Sequence, residues 1–236
     1  GAVPVESGWD VATLWPHGWS RRSHTGLWQL YASRPLIEGT VLELCRDLKS
    51  VTFLERTEVT ALRAAGKAQR YCMGVEVLTR NDGTTRTLEA DLVVDACGAQ
   101  SKAAEWLRRL DLELPEDEVI DAHSGYSSRW FTLGSQHAWP AEWWWKVLFL
   151  RLATPELPYF VAFFPMENQR WLLSYIGVNK AYPPTREDEF TEALKGLASP
   201  VVHEMVQRME PISPVYPSRA TRNRWRHYER WRTPLG

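Results

Sequence analysis

The stretch LEADLVVDACGAQSKAAEWL, residues 88–107, decides the fold that the sequence predicts. Its apolar run at residues 92–94, between two aspartates, predicts a short strand covered on both faces. Gly98 predicts a tight turn, because glycine lets the backbone turn or approach a ligand where a Cβ would clash. Ser101 can then cap a helix. A strand end, a glycine turn and a helix start form a nucleotide site in many α/β sheets, although any βα unit with a glycine turn has the same pattern.

The elements before this stretch give it an uncommon context. SRPLIEGTVLELCRDLKS, residues 33–50, predicts an amphipathic helix capped by Ser33. VTFLE, residues 51–55, predicts a strand, and residues 57–65, 71–80 and 85–90 predict a three-stranded meander whose hairpin lies at Asn81-Asp82-Gly83. A parallel sheet whose crossover is a meander is much rarer than a plain βαβ repeat, so this order makes the opening motif more specific.

The remaining segments predict an α/β (α+β) chain of two domains. Residues 1–32 show no clean periodicity and predict a loop or extended segment. After an acidic connector, residues 124–133, 143–152, 157–166 and 170–178 predict an antiparallel sheet, and two helices begin near Thr185 and Ser199. We therefore expect a partial FAD-type Rossmann-like domain at residues 1–113, a substrate domain with helices on one face of its sheet at 114–218, and a return segment at 219–236.

Composition excludes several classes of protein. A net charge of -1 gives no overall electrostatic field that would attract nucleic acid or an anionic membrane. The arginines of residues 219–232 indicate a strand that is either solvated or paired with acidic residues. Neither a signal peptide nor a transmembrane helix is predicted. The three cysteines and six histidines lack disulfide or metal spacing, so we expect no metal site and a cytoplasmic setting.

Four segments together resemble one family. LEADLVVDACG, residues 88–98, resembles the second dinucleotide fingerprint of FAD-dependent oxidoreductases of the aromatic-hydroxylase type, in which an acidic-apolar strand ends in Asp-Ala-Thr-Gly or Asp-Gly. Residues 33–62 resemble the helix, strand and loop that precede the meander there. Residues 164–177 resemble a strand pair of the substrate domain, and residues 223–236 resemble the approach to the next strand. The resemblance covers nearly the whole chain and implies the same order of elements.

The chain also departs from that family. Nothing in residues 1–32 matches the Gly-x-Gly-x-x-Gly loop that holds the FAD pyrophosphate, and the family's Gly-Asp motif would follow Gly236. Cys97 replaces a common threonine, and Lys102 replaces a common arginine and loses its planar fork. We therefore expect an interior fragment, incomplete and inactive alone, with an open sheet edge or an exposed apolar face.

The resemblance implies a set of cofactor contacts, each with an ordinary structural alternative. Arg34 would reach FAD phosphate or ribose oxygens, or be a solvated first-turn residue. Val59 would offer backbone contacts to the adenine, or be an ordinary strand residue. Asp95 would bind ribose or flavin-side groups, or cap the following turn. Cys97 and Gly98 complete the predicted FAD contacts, and the turn needs Gly98 in either case.

The resemblance implies an NAD(P)H-dependent FAD monooxygenase, since the flavin carries the chemistry and the protein binds, orients and excludes water. The 13 tryptophans indicate either a heavy core or a site for a flat apolar ligand. We expect Trp143, Trp145, Phe164 and Tyr175 to wall the pocket of a small apolar or aromatic substrate. A flavin-dependent reductase of isoprenoid double bonds is a close variant, and a non-catalytic binding module with a Trp-rich sheet face is the alternative from another class.

Overall fold

The structure, a computed structural model, describes residues 1–65, 71–134, 139–151, 157–219 and 222–230. Its strands are, in chain order, β1 (Val3–Glu6), β2 (Val11–Trp15), β3 (Gly18–Trp19), β4 (Trp28–Tyr31), β5 (Thr57–Ala65), β6 (Tyr71–Thr79), β7 (Thr85–Glu89), β8 (Asp117–Ile120), β9 (Gly125–Leu133), β10 (Val147–Leu150), β11 (Tyr159–Met166), β12 (Arg170–Gly177), β13 (Met209–Pro211), β14 (Tyr216–Ser218) and β15 (Asn223–Arg226). Its helices are α1 (Arg34–Arg46), α2 (Ala103–Arg109), α3 (Glu187–Ala193) and α4 (Val201–Gln207).

The chain divides into two compact units. The first unit comprises residues 1–44 and 120–223, and the second comprises residues 45–119 and the chain from Arg224 onward. This grouping differs from the predicted ranges, because the N-terminal residues join the sheet that was expected to form from residues 114–218 alone. The physical cause is strand pairing: β2 lies parallel to β10, with Val11 opposite Val147. The segment 1–32, expected to be a loop or an extended segment, therefore supplies strands.

The first unit is built on a sheet with the strand order β13-β9-β12-β11-β10-β2-β3, and β14 also pairs with β9. The long strands β9, β11 and β12 are antiparallel, as predicted, with Tyr175 opposite Val161 and Leu172 opposite Phe164. The strand predicted at residues 143–152 is shorter and begins only at Val147, because Trp143 to Trp145 lie in the loop before it.

One face of this sheet carries the core. Phe163, Leu173 and Tyr175 point to that face and pack against Phe190 of α3 and Met205 of α4. Because side chains alternate across a strand, Phe164, Leu172 and their same-parity neighbours point the other way. We call the two sides the covered face and the open face. The predicted arrangement of helices on one face is confirmed.

Helix α1 begins where the sequence places it. The Ser33 hydroxyl accepts a hydrogen bond from the Leu36 N–H at 3.3 Å, as an N-cap does. Ser33 itself is anchored by the buried Glu167, which accepts from the Ser33 N–H at 2.8 Å and from its hydroxyl at 2.5 Å. Although the helix is amphipathic, none of its residues is buried, so Ile37 and Val41 remain exposed.

The second unit contains the predicted meander. Strands β5, β6 and β7 pair antiparallel in that order, and Gly83 makes the β6–β7 hairpin turn with a φ of +70°. Gly74 in β6 has a φ of +137°, and a Cβ there would lie 2.0 Å from the Leu88 carbonyl oxygen. The pairing of β5 with β6 shifts register between Val59 and Ala61, which leaves Thr60 as a bulge.

Two predicted strands of the second unit do not form. Residues 51–55 and 92–94 lie outside any strand, and Leu92 and Val94 are 77% and 76% exposed. Within the described ranges no strand pairs with either segment, so the backbone of neither segment joins a sheet. The prediction of a strand buried on both faces at residues 92–94 is therefore wrong for this chain, and Leu92 and Val94 are exposed apolar side chains.

The arginine-rich segment near the C-terminus forms a strand paired with acidic residues, which is one of the two alternatives predicted from the sequence. β15 pairs with β8, and the Arg224 guanidinium lies 3.3 Å from an Asp117 carboxylate oxygen. Of the helices that the structure describes, none combines the length and apolar character needed to cross a bilayer.

Candidate functional site

The centre of the candidate cofactor site is the turn that follows residues 92–94. Gly98 has a φ of +58° and opens a 3₁₀ turn over Gly98–Gln100. No heavy atom lies within 4 Å of the place where a Cβ would stand. The conformation, rather than lack of space, therefore selects glycine here, and the open space above the turn leaves room for a ligand.

Asp95 organises this turn. Its Oδ1 accepts a hydrogen bond from the Cys97 N–H at 2.9 Å, and its Oδ2 accepts one from the Ser101 hydroxyl. These two hydrogen bonds, the hydroxyl's first, hold the pKa of the Asp95 carboxyl below its ordinary value. The capping role that the sequence left as an alternative is thus present. Each carboxylate oxygen retains a lone pair, so capping and ligand binding are compatible.

Cys97 is exposed beside this carboxylate. Its hydrogen bond with Asp95, and the repulsion between a thiolate and that carboxylate, raise the pKa of the Cys97 thiol. The thiol therefore stays protonated and is a weak nucleophile. Its position suits a neutral side chain that lines the turn.

An ion pair links the turn to the meander. The Lys102 ammonium, just before α2, lies 2.8 Å from Glu58 Oε1, and Arg80 lies 3.1 Å from Glu58 Oε2. Hydrogen bonds from Lys102 and then Arg80 lower the pKa of the Glu58 carboxyl, and Glu58 raises the pKa of Lys102. Val59 is the next residue of β5 and borders the Thr60 bulge, a feature often found beside functional sites.

The sequence did not single out Glu58, because it lies 44 positions from Lys102 and belongs to no motif. The sequence signal that could have indicated this ion pair was an acidic residue next to Val59 and a basic residue after the Gly98 turn. The structure thus places Val59, Asp95, Cys97 and Gly98 in the second unit, where the Glu58–Lys102 pair connects the strand of Val59 to the residue before α2.

Arg34, the remaining predicted FAD contact, lies at the start of α1 in the first unit. Its Nε donates a hydrogen bond to Glu38 Oε1 at 2.5 Å, and that carboxylate raises the pKa of the guanidinium. Its side chain is 86% exposed, so the remaining guanidinium N–H groups are available to a phosphate or to water.

The four predicted substrate residues do not form one wall. Phe164 lies half-buried on the open face, with the Tyr31 ring 5.7 Å away. Tyr175 lies on the covered face, 3% exposed, with its ring 6.3 Å from Phe190. Burial there raises the pKa of the Tyr175 hydroxyl. One ligand cannot contact both side chains from one side of the sheet.

Trp143 and Trp145 lie at a third place, a cavity of about 520 Å³ in the first unit. Ala12 of the covered face and Val201 of α4 also line it, so it lies on the side of the sheet that carries the helices. Trp145 is surrounded by other indoles, and its own ring nitrogen is buried without a hydrogen-bond partner among the described residues.

The open face offers a second apolar surface, which the sequence did not resolve. Phe149 and Phe160 stack with centroids 5.8 Å apart, and the Arg151 guanidinium lies 5.0 Å from the Phe160 ring centre. Farther along, Ser128 and Ser174 share a hydrogen bond at 2.8 Å between their hydroxyls. Aromatic rings with a few hydroxyls and one cation can bind a flat, weakly polar molecule.

Metal chemistry has no candidate centre in the part of the chain that the structure describes, since no group of three or more potential metal ligands occurs there. What the described site provides is a tight glycine turn, a positioned carboxylate and a strand joined to the turn by an ion pair. These features can bind and orient a nucleotide-like group.

Solved structures similar to this chain include flavin-dependent enzymes. Flavin-dependent brominase Bmp2 is 12% identical with a TM-score of 0.64, covering 92% of this chain and 50% of its own. PqsL of Pseudomonas aeruginosa, described as a probable FAD-dependent monooxygenase and solved with 2-aminobenzoylacetate, is 17% identical with a TM-score of 0.62, covering 90% and 56%. Halogenase PltM is 16% identical with a TM-score of 0.59, covering 96% and 45%.

These similarities define the fold: a mixed α/β chain of several sheets, similar to FAD-dependent monooxygenases and halogenases. No family model matches the sequence. Among curated proteins, Protein Rv3254 of Mycobacterium tuberculosis (strain ATCC 25618 / H37Rv) is 26% identical over 202 residues, covering 84% of this chain and 41% of that protein. The chain thus spans less than half of that relative and about half of the solved structures.

Proposed function

We propose that this chain is part of an FAD-dependent oxidoreductase, an NAD(P)H-dependent monooxygenase that acts on a flat apolar or aromatic small molecule. The observation that carries the proposal is the meander β5–β7 followed by the Gly98 turn and α2, within a fold similar to flavin-dependent enzymes over at least 90% of the chain. A generic βα unit would not need that inserted meander.

The residues of the second unit fit part of an FAD site. Gly98 presents open space over a turn of positive φ, and Asp95 keeps acceptor capacity beside it. Val59, at the edge of a bulge, would offer backbone groups to the adenine, while Lys102 fixes the turn through Glu58. Bound FAD would supply the redox chemistry with oxygen, and these residues would bind and orient it.

The substrate would lie on the open face. Phe164 and the Phe149–Phe160 pair provide aromatic area, and the Ser128–Ser174 hydroxyls provide orientation. The buried Tyr175 would support this surface from behind, through the sheet, without touching the substrate. This assignment retains Phe164 from the predicted set and gives Tyr175 a packing role.

The test uses the complete gene product that contains this chain. We expect the purified protein to show the visible absorption bands of bound flavin, and to consume NADH or NADPH faster when its substrate is present. Small aromatic acids, amines and phenols are tested as candidate substrates. Mass spectrometry then identifies the substrate as the compound that gives an oxygenated product.

Three outcomes would replace the proposal. A product carrying halogen in place of oxygen would make the protein a halogenase. Saturation of an isoprenoid double bond without oxygen uptake would make it a reductase. A colourless protein that does not bind FAD on titration would leave the non-catalytic binding module as its function.

A matched pair of variants connects the result to the site. Asp95→Ala removes both turn hydrogen bonds and should weaken FAD binding, whereas Glu43→Gln, on the exposed side of α1, should leave it unchanged. Equal FAD affinity of Asp95→Ala and the parent protein would exclude Asp95 from the site.

A further inference from the structure

The tryptophan-lined cavity of the first unit has a chemistry that the proposed oxidoreductase does not use. It lies on the covered side of the sheet, whereas the proposed substrate surface is the open face. Its lining combines the indoles of Trp19, Trp143, Trp144 and Trp145 with the carboxylates of Glu142 and Glu204. We propose that this cavity binds an organic ammonium ion, with the indoles as an aromatic cage and the carboxylates as the countercharge.

The other three indoles of the lining pack around that of Trp145. The ring centres of Trp19, Trp143 and Trp144 lie 6.2, 5.9 and 6.0 Å from that of Trp145. The Trp144 ring is inclined to the Trp145 ring by 82°, while the other two are within 29° of parallel. Rings set at different angles present more than one π-face to a guest, as a cage for an alkylammonium group requires.

Two arginines already use the outer rings in this way. The Arg22 guanidinium carbon lies 4.5 Å from the Trp144 ring centre, and that of Arg208 lies 5.6 Å from the Trp143 ring centre. Cations therefore populate the π-faces of this cluster within the protein itself. Trp19 and Trp145 have no such cation among the described residues; Trp145 instead stacks with Trp19 and Trp143.

The charge of the lining favours a cation over an anion. Neither Glu142 nor Glu204 has an ion-pair partner in the ranges that the structure describes. The lining cation Arg22 is engaged, because its Nε donates to the Trp9 carbonyl oxygen at 2.9 Å and its carbon stacks 3.8 Å from the Trp9 ring centre. A carboxylate guest would meet two negative charges and one cation, which already contacts Trp9 and Trp144.

Size also fits this class of ligand. A cavity of about 520 Å³ falls within the range of small-molecule pockets, about 300–1,000 Å³. A quaternary ammonium head with a short organic tail can occupy it. A bare metal ion would need several oxygen ligands at once, and no such cluster is found among the described residues.

The experiment compares three soluble probes by calorimetry on the chain: choline, its neutral carbon analogue 3,3-dimethyl-1-butanol, and benzoate. We expect choline to bind at least about tenfold more tightly than the neutral analogue, because only choline gains the cation–π and carboxylate attraction. Benzoate should not bind measurably.

Variants then locate the site. Trp19→Ala removes a half-exposed wall at a strand end, and Glu204→Gln removes one charge without changing shape, so both should fold and bind choline about tenfold more weakly. Glu192→Gln, on the exposed surface of α3 and outside the cavity, is the matched control and should bind as the parent chain does. Thermal unfolding verifies that each variant is folded.

Each contrary result overturns the proposal. Equal affinity for choline and its neutral analogue would make the cavity a plain apolar pocket. Tighter binding of benzoate would make it an anion site centred on Arg22. No binding of choline, or unchanged choline binding by both cavity variants, would exclude an ammonium site here. None of these results depends on FAD, so the proposed oxidoreductase stands or falls separately.

Discussion

The ammonium of Lys102 lies 2.8 Å from the carboxylate of Glu58 and so ties the turn at Gly98 to the first strand of the meander. The pair is partly exposed, with Arg80 on the other carboxylate oxygen. Its role is positional, because it joins the residue before α2 to the residue before Val59. The ion pair therefore connects the start of α2 to the first strand of the meander within the second unit.

Breaking this pair should loosen the turn. We expect Lys102→Gln to raise amide hydrogen exchange at residues 97–103 a few-fold, since the turn loses its tie to β5. Lys102→Arg retains the charge and should stay close to the parent rate. Exchange measured by mass spectrometry at neutral pH tests this, and identical protection in the Gln and Arg variants would contradict it.

Replacing Gly98 should reveal its backbone conformation. A φ of +58° costs an L-residue about 1–2 kcal/mol, and no steric clash adds to it, so Gly98→Ala should destabilise the second unit by about that amount. Asparagine tolerates the left-handed region, so Gly98→Asn should cost less. Urea unfolding of the three proteins checks the order, and equal loss in both variants would show that φ is not the cause.

Tyr175 and Phe164 should respond differently to truncation. Tyr175→Ala leaves a cavity in the core against Phe190 and should cost about 3–5 kcal/mol, the range for large aromatic deletions. Phe164→Ala lies on the half-buried open face and should cost less while raising the KM of the proposed oxygenation. A Tyr175→Ala protein of parental stability with a raised KM would instead make Tyr175 a substrate contact.

The acid stability of the first unit should depend on Glu167. Burial raises the pKa of its carboxyl, but hydrogen bonds from Ser33 outweigh this and bring it down to about 2, from an ordinary 4.5. A lowered pKa means that the stabilisation is complete above the ordinary value. It is lost as pH falls from about 4.5 to about 2.

Glu167→Gln should remove that acid transition. We expect it to cost about 1–3 kcal/mol at pH 7, since Ser33 loses a charged acceptor in a buried place. Its unfolding free energy should then change less between pH 5 and pH 2.5 than that of the parent chain. The exposed Glu192→Gln should retain the parental pH profile, and a Glu167→Gln profile parallel to the parent would refute the assignment.

Local patterns predicted much of this structure because their causes are local. The cap at Ser33, the hairpin glycine Gly83 and the alternation along β9, β11 and β12 each act within a few residues. Phe164 and Tyr175 lie on different strands, so alternation alone does not place them on opposite faces; the register between the strands is also needed. Alternation also does not show which face the helices cover. The four residues predicted as one wall were therefore dispersed.

The predictions that failed share a physical cause: they depend on pairing between residues far apart in the chain. The strand predicted at residues 92–94 is apolar enough, but a strand needs a neighbour to satisfy its backbone, and none of the described strands pairs with it. The Glu58–Lys102 pair and the β2–β10 pairing join residues far apart in the chain. No periodicity within a window of ten to twenty residues records such partners.

The parallel pairing of β2 with β10 also sets an order of events during protein synthesis. Asp10 and its partner Lys146, at the start of these strands, are 136 positions apart. At about 5–20 residues per second, β2 leaves the ribosome roughly 7–27 s before its parallel neighbour β10 exists, although β3 follows at once. During that interval Ala12, which is buried in the folded unit, lacks the β10 strand beside it. The first strand of this sheet to be synthesised therefore cannot pair with β10 until more than half of the chain has emerged.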